Sequence, residues 1–133
     1  YELALSKLLK QGSDVWLNNP RVPREASGTS GMTAAMNGSI NLSTDDGWIP
    51  EFAKNGVNSF VVPKADYANM SVFDVDNYDM NQLYDILENQ ILPMYYERPD
   101  EWRQVVKNAM DDVKEQFNSD RMADEYYKIM YNN

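Results

Sequence analysis

A stretch rich in glycine and small hydroxyl residues, EASGTSGMTAAMNG at residues 25–38, separates two short apolar runs, DVWLN at 14–18 and SINLS at 39–43. No other feature limits the fold as much. The first half of the stretch suits a loop. Met32, Thr33, Ala34, Ala35 and Met36 continue as a helix that Asn37-Gly38 closes. Asn19-Pro20 halts the first run, Asp45-Asp46-Gly47-Trp48 makes a turn after the second, and SFVV at 59–62 is a third strand ended by Pro63. Strand, loop, helix and strand in this order predict a βαβ unit, with parallel pairing and a right-handed crossover, in an α/β fold.

The flanks add helices. In YELALSKLLK, residues Leu3, Leu5, Leu8 and Leu9 largely share one helical face, and Gly12 stands where a C-cap is expected. The chain opens at Tyr1 inside this pattern, without a Met, and reads as an excerpt; a processed amino terminus is the alternative. Residues 64–78 have no clean period and read as an irregular connection. From Asp79 onward Leu83, Ile86, Leu87, Ile91 and Met94 form one apolar stripe, with Pro93 placed to kink it. Pro99, Asp100 and Glu101 start a helix carrying Trp102, Val105, Val106, Ala109, Met110 and Val113. Ser119 and Asp120 start a last one with Met122, Tyr126, Ile129 and Met130. The expected organisation is a single unit over 1–133, with the βαβ part at 1–63 and carboxyl-terminal helices at 79–133.

Composition excludes several chemistries. The chain has 133 residues, 43% hydrophobic and 25% charged, which is globular rather than disordered composition. Its net charge of −9 repels polyphosphate backbones and anionic membranes, so neither nucleic acid nor membrane is an expected partner. There is no Cys and no His, which removes thiol nucleophiles, thiolate metal sites and the usual general base. No apolar run is long enough to span a bilayer, and no basic-then-apolar segment marks a secretory signal. The chemistry left is that of carboxylates, hydroxyls, amines, backbone amides or a bound cofactor.

The glycine-rich stretch carries that chemistry. Small residues let backbone amides approach a ligand, and a following helix amino terminus adds roughly half an elementary positive charge, which suits an oxyanion or phosphate. Glu25, just before it, can accept two hydroxyl hydrogen bonds from a sugar. A plain strand-to-helix turn wants the same small residues and stays open as the alternative.

The run VWLNNPRVPREASGTSGMTAAMNGSINLSTDDGW, continued by EFAKNGVNSFVVP and the tail DRMADEYYKIMY, resembles the carboxyl-terminal domain of the α-glucan phosphorylases, the glycogen, starch and maltodextrin phosphorylase family, particularly its shorter bacterial and archaeal branch. The resemblance covers nearly the whole chain. It implies a partial Rossmann-like domain of GT-B type, in which two Rossmann-like halves enclose the substrate. By the same resemblance Glu25, Ala26, Ser27 and Gly28 hold hydroxyls of the glucosyl unit, and Thr29, Ser30 and Gly31 cradle the phosphate of pyridoxal phosphate. The implied activity is retaining transfer of glucosyl units between an α-1,4-glucan and orthophosphate, with glucose 1-phosphate as the other partner. The implied location is cytoplasmic.

Thr33 departs from the pattern. The corresponding residue in active phosphorylases is a Lys that forms an imine with pyridoxal phosphate, which a hydroxyl cannot do. The phosphate cradle survives, and the phosphorylase cofactor works through its phosphate, so noncovalent binding remains chemically open at a cofactor site that includes Thr33. Lys7, Lys10, Lys54 and Lys64 are the nearest amines in sequence, but none holds the motif position. Retaining transferases that use nucleotide sugars resemble this motif too, with a second Glu eight residues after the first; Thr33 stands there as well. Three readings follow: a phosphorylase-like transferase, a nucleotide-sugar-dependent glucan synthase-like transferase, and a noncatalytic glucan-binding module. The fragment alone is expected to be inactive, and no catalytic residue is assigned within it.

Other features read plainly. Asp45 and Asp46 lack the further oxygen ligands a metal needs and suit a turn with solvated charges, so no metal site is assigned. Trp48 can stack on a sugar or pack against helices. Glu51 and Lys54 are spaced for an exposed ion pair. Tyr95, Tyr96, Tyr126, Tyr127 and Tyr131 suit amphipathic core packing better than a carbohydrate platform. In the resembled family the last helix crosses onto the first domain. The fragment is therefore expected to bare an apolar face around Met122, Tyr126 and Ile129 that can self-associate.

Overall fold

The computed structural model describes residues 2–132; Tyr1 and Asn133 lie outside the described residues, and with them the first position of the expected amino-terminal helix. The chain runs α1 (Leu3–Gly12), β1 (Val15–Asn18), α2 (Thr29–Met36), β2 (Ile40–Thr44), α3 (Ile49–Phe52), β3 (Phe60–Val62), α4 (Val72–Ile86), a π-helical turn (Leu87–Ile91), α5 (Leu92–Glu97), α6 (Pro99–Gln116), α7 (Ser119–Tyr126) and a second π-helical turn (Tyr127–Tyr131). The strands form one parallel sheet in the order β1-β2-β3, with Val15 opposite Ile40 and Leu42 opposite Phe60. The expected α/β fold, with its parallel sheet and helical second half, is the one observed, and it is compatible with part of a Rossmann-like domain.

The sheet positions the loop because β2 is buried along its whole length. Ile40 and Leu42 join Phe60, Val62, Ala35 and the inner face of α6 in the core. On α6 that face is Trp102, Val105, Ala109 and Val113, a helical stripe whose large members each stabilise by about 1.5–3 kcal/mol on burial. The polar residues of β2 are not idle. Asn41 Nδ2 donates to the Gly31 carbonyl at 3.1 Å and Thr44 Oγ1 to the Pro20 carbonyl at 2.9 Å, so the central strand ties down both ends of the loop between β1 and α2. At the far end of α2, Gly38 N donates to the Ala35 carbonyl and Ser39 N to the Ala34 carbonyl, the paired bonds of a Schellman stop, as Asn37-Gly38 predicts.

Several sequence expectations are corrected here. Helix α4 begins at Val72, inside the stretch expected to be irregular, because Ser71 caps it: Asp74 N donates to Ser71 Oγ at 3.2 Å, and Ser71 Oγ meets Asp74 Oδ2 at 2.7 Å. The Ser-x-x-Asp spacing was the available signal. Pro93 produces the π-helical turn Leu87–Ile91 before it: without an N–H it cannot bond to the carbonyl four residues back, and Leu92 N donates to Leu87 instead. Asn118, not Ser119, caps α7, its side-chain oxygen accepting from Arg121 N at 2.7 Å. Gly12 is the last residue of α1, and Ser13 is its extended cap. Lys54 pairs with Asp112 at 3.0 Å rather than with Glu51. Burial pushes the Asp112 carboxyl up, but hydrogen bonds from Asn58 and Lys54 and the lysine charge outweigh it, leaving it below its usual value.

The helical faces divide. In the stripe from Leu83 to Met94, Ile86 and Ile91 are buried and Leu83, Leu87 and Met94 pack against the core, whereas Met110 of α6 is 41% exposed. Of the five tyrosines expected to pack, Tyr95 does so, edge-on to Trp102 at 5.3 Å. Tyr96, Tyr126, Tyr127 and Tyr131 are exposed. Leu3, Leu5, Leu8 and Leu9 are 55–74% exposed, and Met122 and Ile129 are exposed to a similar degree. No helix among the described residues is long and apolar enough to cross a membrane.

Asp79 of α4 is 7% exposed, and its Oδ1 has no hydrogen-bond partner. Desolvation, then the charge of Asp76, pushes its carboxyl pKa up. A carboxyl held higher in the folded than in the unfolded chain stabilises the fold while protonated, and the chain loses that stability as pH rises through the unfolded and then the folded value. Asp79→Asn removes the charge at nearly constant shape. The variant is expected to melt higher than the parent at pH 7 and to lose that advantage near pH 4; an equal or lower melting temperature at pH 7 contradicts this.

Candidate functional site

Beyond Asn18 the chain leaves the sheet, turns back, and reaches Gly28, which caps α2 at φ +99°. A side chain is excluded at this cap, since a Cβ on Gly28 would lie 2.9 Å from Trp48 Cδ1. One turn on, Gly31 is buried, and a Cβ there would lie 2.6 Å from Asn41 Oδ1 and 3.0 Å from Trp48 Nε1. Glycine at both positions lets α2 seat directly on β2 and the indole. Trp48 is 2% exposed, stacked on Phe52 at 4.3 Å and edge-on to Phe117 at 5.2 Å. Of its two sequence readings the structure has packing; no sugar can stack on it.

The turn that carries Trp48 grips the loop. Trp48 N donates to the Ser27 carbonyl at 2.7 Å. Asp46 is 8% exposed, and its carboxylate accepts from Glu25 N and Gly47 N, both at 2.9 Å. The expectation of solvated charges therefore fails for Asp46, because these two amides replace its water. Asp45 faces outward and pairs with Lys64 at 3.0 Å, and its hydrogen bond and charge raise the lysine pKa. Among the described residues no group of three or more acidic side chains is set to hold a metal.

The sequence-predicted residues fall into two adjoining sets. Glu25 is half-buried, with Ala26 and Ser27 exposed beside it and Gly28 partly covered. Thr29 and Ser30 line a groove of about 560 Å³ together with Glu2, Leu5, Ser6, Leu9, Lys10 and Trp16. Gly31 lies behind them, its amide bonded to the Gly28 carbonyl at 3.0 Å. Thr33 is exposed and its hydroxyl turns back onto its own helix, donating towards the carbonyls of Thr29 (3.1 Å) and Ser30 (3.0 Å).

What this arrangement could hold follows from the donors. The first amides of a helix have no partner within it, and Thr29 and Ser30, which carry two such amides and two hydroxyls, line a groove shared with Lys10, whose ammonium lies 5.9 Å from the Trp16 ring. A phosphate ester fits such a donor set. An aldehyde that must be captured as an imine finds no amine at position 33, so the residues fit the phosphate end of pyridoxal phosphate and not its covalent attachment there. Sequence reasoning missed Asn41 and Asp46 as parts of this neighbourhood, the DDGW turn having pointed to solvent, and it named Lys10 only as one of four amines near in sequence, without placing it at the groove.

No family model matches the chain. Individual proteins do. The chain is 46% identical over 132 residues to an uncharacterized protein of Methanocaldococcus jannaschii, 41% identical over 132 residues to a maltodextrin phosphorylase of Thermococcus litoralis, and 40% identical over 136 residues to a glycogen phosphorylase of Aquifex aeolicus. Each match covers 98% of this chain and 24%, 16% and 19% of those proteins. The chain thus spans a quarter or less of the length of these curated relatives. The likeness runs through the sheet, the glycine-rich loop and the helices alike, so along nearly its whole length this stretch is similar to one part of a maltodextrin phosphorylase and of a glycogen phosphorylase.

Proposed function

We propose that this chain is the carboxyl-terminal sugar- and cofactor-binding part of a phosphorylase-like glycosyltransferase, acting between an α-1,4-glucan and orthophosphate with glucose 1-phosphate as product. The observation that carries this reading is the loop at 25–28, held against the sheet and opening onto the amino terminus of α2, in a chain 41% identical to a maltodextrin phosphorylase. Glu25 accepts hydroxyl hydrogen bonds of the glucosyl unit, and the backbone at Ala26, Ser27 and Gly28 fixes its orientation. Thr29 and Ser30 form the phosphate cradle, backed by Gly31, whose own amide is taken by the Gly28 carbonyl, and Lys10 adds a positive charge across the groove. Pyridoxal phosphate bound there supplies a phosphate next to the reacting sugar, where the oxocarbenium-like transition state gains electrostatic stabilisation. A further domain of the same protein completes the cleft, and the glucan reaches it from the aqueous phase of the cytoplasm.

Thr33 makes the reading testable. In the full-length protein, the native chain is expected to release glucose 1-phosphate from glucan only with orthophosphate and added pyridoxal phosphate, and to lose the cofactor on gel filtration. Thr33→Lys is expected to retain the cofactor, with the visible absorbance of an imine. Glucose transfer from a nucleotide sugar without orthophosphate would replace this reading by the synthase-like one. Glucan binding with neither reaction, in native and Thr33→Lys protein alike, would leave a noncatalytic binding module.

A further inference from the structure

The DDGW turn holds a buried carboxylate beside the loop. Asp46 accepts the amide of Glu25, the residue whose side chain the proposed function assigns to the sugar. The same carboxylate closes its own turn through Gly47 N, and two residues on Trp48 N holds the Ser27 carbonyl at 2.7 Å. The loop is thus clamped at both ends of Glu25-Ala26-Ser27. Gly47 fits between the clamps so tightly that a Cβ would lie 2.5 Å from the Ser27 carbonyl oxygen and 2.7 Å from Glu25 Cγ.

We propose that Asp46 is a positioning residue for sugar binding, fixing the backbone of Glu25 so that the Glu25 carboxylate and the 26–28 backbone meet the glucosyl hydroxyls together. The inference rests on the glucosyl reading of that loop. Its physical basis is that a charged acceptor makes amide hydrogen bonds about twice as strong as a neutral one does, and that a buried carboxylate with two amide donors has little reason to move. A loop of exposed small residues would otherwise sample many conformations, and each unfixed residue would be ordered only on binding, at the expense of affinity.

The test uses the full-length protein and three variants. Asp46→Asn keeps one carbonyl acceptor for two amides, Asp46→Ala keeps none, and Asp45→Asn breaks only the outward pair with Lys64. For each, the KM for glucose 1-phosphate and the kcat in glucan elongation are measured, with amide hydrogen exchange across residues 25–28 and the melting temperature. The expected order is a KM about tenfold above the parent for Asp46→Asn, a larger rise for Asp46→Ala, and parental values for Asp45→Asn, with faster exchange at 25–28 in the two Asp46 variants only. Should Asp46→Ala not fold, Asp46→Asn carries the test. Parental KM and exchange in Asp46→Asn overturn the inference, as does a lowered melting temperature with KM unchanged, since that marks a purely structural role. A parent protein that neither binds nor turns over glucose 1-phosphate overturns the glucosyl reading itself, a result distinct from either.

Discussion

Replacing Trp48 with alanine is expected to lower stability by about 3–5 kcal/mol, the usual cost of truncating a buried large aromatic. The indole is 2% exposed and meets Phe52 and Phe117 in one aromatic cluster, so its removal opens a cavity where α3, the sheet and the end of α6 converge. It also removes the wall against which Gly28 and Gly31 lie. A loss of this size is a large part of the ~5–15 kcal/mol that holds a typical domain together. The measurement is a denaturant titration with a thermal melt, and the midpoint should fall by more than about 10 °C. Trp48→Phe retains part of the ring packing and should recover part of the loss. A Trp48→Ala protein melting within a few degrees of the parent would mean that the indole does not support the fold in the way its burial indicates.

Gly47→Ala is expected to be the most damaging single-methyl change near the site. Gly47 has φ +59°, a conformation that costs an L-residue roughly 1–2 kcal/mol, and the added methyl would sit 2.5 Å from a backbone oxygen. That oxygen is the Ser27 carbonyl, which cannot swing away as a side chain can, so the loop must shift. Together with an overpacking penalty of about 1–3 kcal/mol, a loss of roughly 2–5 kcal/mol follows, along with weakened binding of the proposed sugar ligand. Gly56→Ala provides the control, because Gly56 has φ +74° and nothing within 4 Å of the position a Cβ would take. Gly56→Ala should show the backbone strain alone. Equal losses of stability and of glucose 1-phosphate affinity in the two variants would remove the contact with Ser27 from the explanation.

The two sets of consequences trace back to different levels of organisation. The three strands were legible because short apolar runs ended by Asn-Pro, an acidic Gly turn and Pro are local signals, and each observed strand lies within one residue of its predicted limits. The helix after the glycine-rich loop and its Schellman stop were legible for the same reason. The start of α4 was missed although Ser71 and Asp74 spell a cap, because the residues around them carry no clear apolar period. The π-helical turn before Pro93 was not legible beyond the expectation of a kink, since which relaxation a proline provokes depends on how the flanking turns pack.

What the sequence determined by itself is the α/β class, the parallel unit, the chemistry available without Cys or His, and a hydroxyl rather than an amine at position 33. These depend on residue identity and spacing, which do not change with context. What the tertiary structure alone decided is that Asp46 is buried and bonded to Glu25, that Trp48 is a wall rather than a platform, that Lys10 shares a groove with Thr29 and Ser30, and that Lys54 chooses Asp112 over Glu51. Each of these joins residues that are far apart in the chain or on neighbouring loops, and such contacts are set by how β2, α2 and the DDGW turn pack together. A carboxylate in a turn looks solvated in sequence because water is the default partner; here the amide of Glu25, brought back by the path of the loop, takes that place.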